Sequence, residues 1–154
     1  LERRGAAVEQ RLSALAEQNA LALRLRTVPG IGLITATALA GFVGDLRRFS
    51  SARKFASYLG LTPREHSSGS TRRLGAISKR GDVYLRMLLI HGARALLATA
   101  PKAKHQDRTR TWALALADRV GHNKATVALA NKLARYAWAV VNHEENFANQ
   151  KIAA

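Results

Sequence analysis

The chain has 154 residues, 47% of them hydrophobic and 23% charged, which suits one compact core with an appendage. Its 25 Lys and Arg outnumber 10 Asp and Glu, and the resulting net charge of +15 attracts polyanions, so nucleic acid is the first candidate partner. No apolar run approaches the roughly 18 residues that span a bilayer, and no membrane association is expected. The absence of cysteine excludes disulfides and thiolate metal sites, and it favours a cytoplasmic protein.

The N-terminal segment, residues 1–26, is predicted to form one long helix with an apolar seam. The seam combines two heptad positions, occupied by Leu1, Val8, Leu15 and Ala22 and by Gly5, Leu12, Asn19 and Arg26. Such a seam indicates either a short coiled coil in a homo-oligomer, with Asn19 fixing the register, or a helix packed on its own domain. Because the sequence begins without Met or the apolar core of a signal peptide, we expect it to be part of a longer protein.

Residues 27–154 are predicted to form a compact all-α domain, because helical periodicity recurs and strand-like alternation is scarce. Pro29, Gly30 and Gly32 separate the first helix from a second over about 34–42, in the form of a helix-hairpin-helix. A glycine turn of this kind can direct backbone N–H groups at a phosphate, so Gly30 and Gly32 are candidate nucleic-acid contacts. A plain turn between two packed helices is the alternative.

The remaining helix boundaries carry their own signals. Phe49 followed by Ser51 predicts a hydrophobic staple and an N-cap before a helix that ends at Gly60. Asp82 predicts the N-cap of a long central core helix that Pro101 stops. Two more helices are expected, one ending near residue 120 and one over about 124–143.

Residues 61–86, LTPREHSSGSTRRLGAISKRGDVYLR, are a strongly basic segment. Its first part, residues 61–78, is expected to be a loop with a short hairpin around Ser68–Thr71. Seven side chains are predicted to neutralise phosphates: Arg64, His66, Arg72, Arg73, Lys79, Arg80 and Arg86. Gly69 and the small serines around it let a nucleic-acid backbone approach closely. The acidic and histidine residues are scattered along the chain without ligand spacing, so no metal site is predicted.

Ser67 and Ser68 in this loop are candidate nucleophiles. A serine hydroxyl among guanidinium groups suits attack on phosphorus, because the arginines neutralise the phosphate and stabilise the charge of the transition state. From spacing alone, a flexible and solvated loop without catalysis is the alternative.

The segment over about residues 25–110 resembles the C-terminal domain of the IS110 insertion-sequence transposases, relatives of the Piv and MooV invertases. The ordered motifs that carry the resemblance are VPGIGLITATALAGFVGDLRRF, SSARKFASYLGLTPREHSSGSTRRLGAISKRGD and VYLRMLLIHGARALL. The resemblance implies a DNA recombinase whose N-terminal RuvC-like domain, absent from this chain, holds four acids and Mg²⁺. It also implies a nucleophilic serine before a glycine, which matches Ser68 with Ser67 as the near alternative, and a bridge RNA that selects donor and target DNA.

The sequence therefore predicts the serine-bearing domain of a transposase that cleaves and rejoins DNA through a covalent phosphoserine. The expected partners are DNA, a guide RNA and further copies of the chain, and the fragment is expected to be inactive without the RuvC-like domain. A non-catalytic helix-hairpin-helix module that binds nucleic acid is the alternative. A third possibility, an RNA-packaging or ribosome-associated protein, requires neither the hairpin of helices nor the serine-glycine loop.

Overall fold

Seven α-helices and one small sheet are present in residues 2–148, the part of the chain that the computed structural model describes. The helices are α1 (Glu2–Glu17), α2 (Ala20–Leu25), α3 (Leu33–Ala38), α4 (Ala52–Tyr58), α5 (Val83–Thr99), α6 (Arg108–Val120) and α7 (His122–Asn142). A π-helical turn over Leu39–Val43 extends α3, and 3₁₀ turns over Leu46–Arg48 and Ala100–Lys102 precede α4 and follow α5. Strands β1 (Pro63–Glu65) and β2 (Leu74–Ile77) form a hairpin between α4 and α5. The predicted all-α class is confirmed, with this hairpin as a small addition.

The core lies around α5 and α7, which pack against each other, while α4 and α6 cover other parts of α7. The buried stripes are formed by Leu85, Leu89, Ala93 and Leu96 of α5 and by Leu129, Leu133, Ala137 and Val140 of α7. Each stripe recurs every three or four residues, as one face of a helix requires. The inner faces that periodicity predicts for these two helices are therefore confirmed.

The segment Val83–Lys102, which contains α5 and the 3₁₀ turn after it, is long and apolar enough to cross a membrane by length and composition. The expectation that no run would approach this length is therefore wrong. Burial accounts for part of this composition, because Leu85, Leu89 and Ala93 face the core, whereas Val83 and Met87 are exposed.

The N-terminal helix is divided in two, so the prediction of one continuous helix is wrong. Asn19 separates α1 from α2, because its side-chain oxygen accepts hydrogen bonds from the backbone N–H groups of Leu21 and Ala22, at 3.0 and 3.2 Å. Asn19 is exposed. It therefore caps α2 and does not fix the register of a buried seam.

Most of the apolar seam of α1 faces solvent. Val8 is 56% exposed and Leu15 is 63% exposed, and Ala16 is the residue of α1 that is buried. Leu1, the first predicted seam residue, lies outside the described residues. The described part of the chain thus leaves this seam uncovered, and self-association through α1 stays a prediction.

The predicted helix caps at α4 and α5 are confirmed. The Ser51 hydroxyl accepts a hydrogen bond from the backbone N–H of Lys54 at 3.2 Å, and the Asp82 carboxylate accepts one from Leu85 at 2.8 Å. Each of these side chains satisfies a backbone donor that the first helical turn leaves without a partner. Asp82 thereby fixes the point at which the chain leaves the hairpin and enters α5.

The turn between α2 and α3 is held against the middle of α5 by two glycines. Gly30 has a φ of +84°, and a side chain at this position would press on Leu133 and on the carbonyl oxygen of Gly92. A side chain at Gly92 would in turn overlap the carbonyl oxygen of Gly30. The two glycines thus let the turn and α5 approach each other backbone to backbone.

Candidate nucleic-acid interface

A β-hairpin projects from the helical core. Its strands are antiparallel, with Pro63 opposite Ile77 and Glu65 opposite Leu74, so that β2 carries one extra residue as a bulge. Residues 63–76 are all exposed. An exposed two-stranded ribbon has a shape that can lie along a nucleic-acid groove.

The tip of the hairpin is a two-residue turn, Gly69–Ser70, between Ser68 and Thr71. Ser68 and Thr71 exchange backbone hydrogen bonds of 3.2 and 3.1 Å. Gly69 has a φ of +58°, which a two-residue hairpin turn requires and a glycine adopts without strain. The hairpin predicted around Ser68–Thr71 is confirmed, and it places Ser68 at the entry to the turn.

Two glycines hold the base of the hairpin together. A side chain at Gly60 would overlap the backbone of Arg80, and a side chain at Gly81 would overlap the carbonyl oxygen of Tyr58. Across the same base, the backbone N–H of Lys79 donates to the Gly60 carbonyl oxygen at 3.0 Å. The two strands therefore leave the core at a fixed separation.

Two side chains of the core helices bind the backbone at the base of the hairpin. Arg86 of α5 is 8% exposed, and its guanidinium donates a hydrogen bond to the Leu59 carbonyl oxygen at 3.3 Å. The Asn131 amide of α7 donates to the Leu61 carbonyl oxygen at 2.9 Å. The sequence-based role of Arg86 as a phosphate contact is corrected here, because a buried guanidinium bonded to the backbone supports the hairpin and does not face solvent.

The two candidate serines have different environments. The Ser67 hydroxyl donates to the Glu65 carboxylate at 2.8 Å and accepts from the backbone N–H of Arg73 at 3.3 Å. The same carboxylate lies 3.4 Å from Arg72 Nε. The Ser68 side chain is exposed, and no residue in the range 2–148 forms a hydrogen bond with its hydroxyl. Ser67 is thus engaged within the hairpin, whereas the Ser68 hydroxyl is free to meet a ligand.

Six of the predicted phosphate contacts are exposed and lie together on the hairpin: Arg64, His66, Arg72, Arg73, Lys79 and Arg80. Arg64 donates to the Ser78 carbonyl oxygen at 3.1 Å, and the His66 ring lies against Gly75 on the opposite strand. Glu65 is the acidic residue of the hairpin, so the positive charge of the ribbon is largely uncompensated. This concentration of charge favours a polyanion.

The glycines of the α2–α3 turn lie away from the hairpin base. Gly30 packs on Gly92, which is about 15 Å along α5 from Asp82. Gly30 is half-buried by this contact, so its role is close packing. Gly32 is exposed, and a side chain there would meet open space. Of the two glycines predicted to contact nucleic acid, Gly32 is therefore the accessible one.

Residues 2–148 contain no group of three or more His, Cys, Asp or Glu side chains that could hold a metal ion. The family resemblance places Mg²⁺ in a RuvC-like domain outside these residues. The surface around Ser68 does not suit the ion, because it is cationic and its carboxylate, Glu65, is already paired with Arg72.

A cavity of about 970 Å³ lies behind the hairpin, between its strands and helix α7. The aromatic ring of Trp112 and the cations Lys124, Lys132 and Arg135 line it, and sequence reasoning assigned none of these four residues to a site. The α7 wall of this cavity could have been found in the sequence, because positions 124, 128, 131 and 135 recur at helical spacing and share one face of the helix. The contribution of Trp112 depends on how α6 packs on α7.

Residues 22–108, more than half of the chain, match the family described as Transposase IS116/IS110/IS902. The chain belongs to this transposase family. The matched residues run from α2 to the first residue of α6, so this IS110-family segment contains the whole hairpin with Ser67 and Ser68.

Three relatives of this IS110-family chain illustrate the similarity. A probable family 20 transposase of Pseudomonas aeruginosa is 48% identical over 144 residues, which are 94% of this chain and 42% of the relative. The transposase for insertion sequence element IS1111A of Coxiella burnetii is 44% identical, over 90% of this chain and 38% of the relative. A pilin gene-inverting protein of Moraxella lacunata is 41% identical over 81 residues, 52% of this chain and 25% of the relative. The resemblance to transposases and invertases is confirmed, and the chain spans about two fifths of the first two relatives.

Proposed function

We propose that this domain cleaves and rejoins DNA through a covalent phosphoserine intermediate, with Ser68 as the nucleophile. The observation that carries the proposal is the position of Ser68, at the exposed tip of a basic hairpin whose base is fixed to the core. The names of the relatives, which are transposases and pilin gene-inverting proteins, support a reaction on DNA.

In the proposed reaction, the Ser68 Oγ attacks a DNA phosphorus, and an Oγ–P bond forms as the P–O bond to one deoxyribose breaks. The deoxyribose oxygen leaves with the proton that the serine gives up. Arg72 and Arg73 neutralise the phosphate oxygens while charge develops on them. In rejoining, a sugar hydroxyl of another strand attacks the phosphoserine and returns the hydroxyl to Ser68, so each step exchanges one P–O bond for another.

Ser67 is the near alternative as nucleophile. Its hydrogen bond to Glu65 would let the carboxylate accept the serine proton, which is the relation of a nucleophile to a general base. However, the Ser67 hydroxyl also accepts the Arg73 N–H and is therefore directed into the hairpin. The free hydroxyl at the tip favours Ser68, with Glu65 and Ser67 bracing the turn.

The proposal extends to the longer protein. Four acids and Mg²⁺ would come from a RuvC-like domain outside residues 2–148, and the fragment alone would be inactive. Donor DNA, target DNA, a guide RNA and further copies of the chain would be its partners. These elements follow from the family resemblance, and the length of the relatives leaves room for them.

The experiment that tests the proposal is covalent trapping. Full-length protein is mixed with labelled donor DNA, guide RNA and Mg²⁺, denatured, and resolved by gel electrophoresis, and the adduct is mapped by mass spectrometry. We expect a protein–DNA adduct attached to the peptide that contains Ser67 and Ser68. If the protein binds nucleic acid but forms no adduct, the alternative of a non-catalytic helix-hairpin-helix module is favoured. The accessible Gly32 in the α2–α3 turn supports that alternative.

Lys79→Ala is expected to weaken DNA binding about equally across sequences and to lower the slope of log affinity against log salt by about one unit. Lys79 is exposed at the hairpin base, and none of the described residues forms a salt bridge with it. Fluorescence anisotropy titrations at several salt concentrations measure the slope. Arg3→Ala, in the first turn of α1, is the matched control and should leave the slope unchanged. An unchanged slope in Lys79→Ala would place this side chain away from the phosphate backbone.

A further inference from the structure

The cavity behind the hairpin combines cationic and apolar walls and has no acidic side chain. It is lined by Lys79, Lys124, Lys132 and Arg135 and by apolar groups that include Leu74, Ile77, Ile90, Val127 and the ring of Trp112. Within residues 2–148, none of the four cations forms a salt bridge. A cluster of cations without counter-charges favours an anionic ligand, and the apolar wall favours a ligand that also has an uncharged part.

Lys132 and Arg135 are both partly buried, and neither forms a salt bridge within residues 2–148. The Lys132 ammonium lies 4.3 Å from the centroid of the Trp112 ring, and burial, with the nearby charges of Arg135 and Arg108, lowers the pKa of Lys132. The Nε of Arg135 is buried and has no hydrogen-bond partner among the described residues. Phosphate oxygens at this place would satisfy the guanidinium and relieve the repulsion between the two side chains.

We infer that this cavity binds one unstacked nucleotide of a single-stranded DNA or RNA segment, with its phosphate between Lys132 and Arg135 and its base against Trp112. The inference deepens the proposed function and rests on it. The volume admits a base with its sugar, and the aromatic ring offers a stacking surface that any base can use. The flexible stem of Lys132 lets its ammonium move from the ring to the phosphate, which opens that ring face to the base.

The position of the cavity relates it to the hairpin tip. Its wall includes Pro63 at the start of β1, and the path from Pro63 to Ser68 is about 17 Å at the rise of a β-strand. A segment with one nucleotide in the cavity could therefore continue along the hairpin toward Ser68. A paired duplex keeps its bases stacked and cannot use the cavity in this way.

The test compares single-stranded and duplex binding in matched variants. Affinities of the chain for labelled DNA and RNA oligonucleotides of about 12 nucleotides, a length within the range of single-strand sites, are measured by fluorescence anisotropy. Trp112→Ala is expected to weaken single-strand binding about tenfold, and Trp112→Phe, which keeps an aromatic face, should restore most of it. Lys132→Met should weaken single-strand binding and lower its salt slope by about 0.7. If the variants lose affinity equally for DNA and RNA, the cavity recognises the base and phosphate that both share. If they lose affinity for only one of them, that nucleic acid is the one bound.

The controls distinguish binding in the cavity from non-specific electrostatic binding and from the proposed serine chemistry. Lys104→Met removes an exposed cation that does not line the cavity, and it should change single-strand affinity less than Lys132→Met does. Duplex affinity should stay within about twofold in Trp112→Ala, because stacking on the ring requires an unpaired base. Unchanged single-strand affinity in Trp112→Ala, or an equal loss for duplex, would overturn the inference even if the serine adduct forms. If single-strand binding depends on Trp112 but no adduct forms, the cavity remains a nucleotide site and the serine chemistry is rejected. Thermal melting of each variant confirms that it is folded.

Discussion

Full-length protein carrying Ser68→Ala is expected to form no covalent protein–DNA adduct and to lose recombination by roughly 10³-fold or more, since an enzyme without its nucleophile retains only background activity. The reason is chemical, because the substitution removes the oxygen that would bond to phosphorus. The fold should be unaffected, since Ser68 is exposed and its backbone hydrogen bonds with Thr71 do not involve the side chain. Denaturing gels measure the adduct, and a donor–target joining assay measures recombination.

Ser67→Ala is the matched control for this prediction. It removes the hydrogen bonds to Glu65 and Arg73 and loosens the turn, so we expect reduced activity with the adduct still formed. Glu65→Gln should behave in the same way, because Glu65 braces the turn in the proposed arrangement. If the adduct persists in Ser68→Ala and disappears in both Ser67→Ala and Glu65→Gln, then Ser67 is the nucleophile and Glu65 its general base.

Gly92→Ala is expected to destabilise the domain by about 3 kcal/mol or more, the upper part of the range for overpacked cores. In a helix, replacing glycine by alanine ordinarily stabilises by up to about 1 kcal/mol. At Gly92 the sign reverses, because the new methyl group would overlap the Gly30 carbonyl oxygen and push the α2–α3 turn away from α5. For a domain of this size, the melting temperature should fall by about 6–12 °C in calorimetry or circular dichroism.

Gly5→Ala in α1 is the matched substitution without a clash. Apart from its own helix backbone and chain neighbours, a methyl group at Gly5 would meet no atom of residues 2–148 within 4 Å, so only the helix preference of alanine applies there. We expect an unchanged or slightly higher melting temperature and somewhat more helix in circular dichroism. A Gly92→Ala variant that melts at or above the temperature of the unmodified chain would show that the turn does not press on α5.

The helices of this domain were largely predictable because their signals are local. Ser51 and Asp82 cap helices through hydrogen bonds that span three residues, and the buried stripe of α5 repeats within one helix. The turn at Gly69 was likewise visible, since a glycine between small polar residues is typical of a tight turn. Asn19 is a residue type that often caps helices, but the heptad pattern across it indicated one continuous helix. In the structure, its side chain caps α2 and the helix is divided there.

The features that escaped prediction depend on contacts between distant parts of the chain. Arg86 belongs to a basic run in the sequence, but its position on α5 places it under Leu59, 27 residues away, and only the packed fold shows its burial. The cavity brings Trp112 of α6 together with Lys132 of α7 and with one face of the hairpin. Residue spacing within one segment does not indicate contacts between distant segments. The site could therefore be predicted only where its residues are neighbours in sequence.

The attachment of the hairpin separates the residues that keep the domain folded from the exposed ribbon, for which we propose contact with nucleic acid. Gly60, Gly81, Arg86 and Asn131 act at the base, whereas the residues from 63 to 76 are exposed and add little to the core. Substitutions in the outer ribbon can therefore accumulate without much loss of stability. The outer ribbon can thus change between members of the family while the core and the base of the hairpin stay the same.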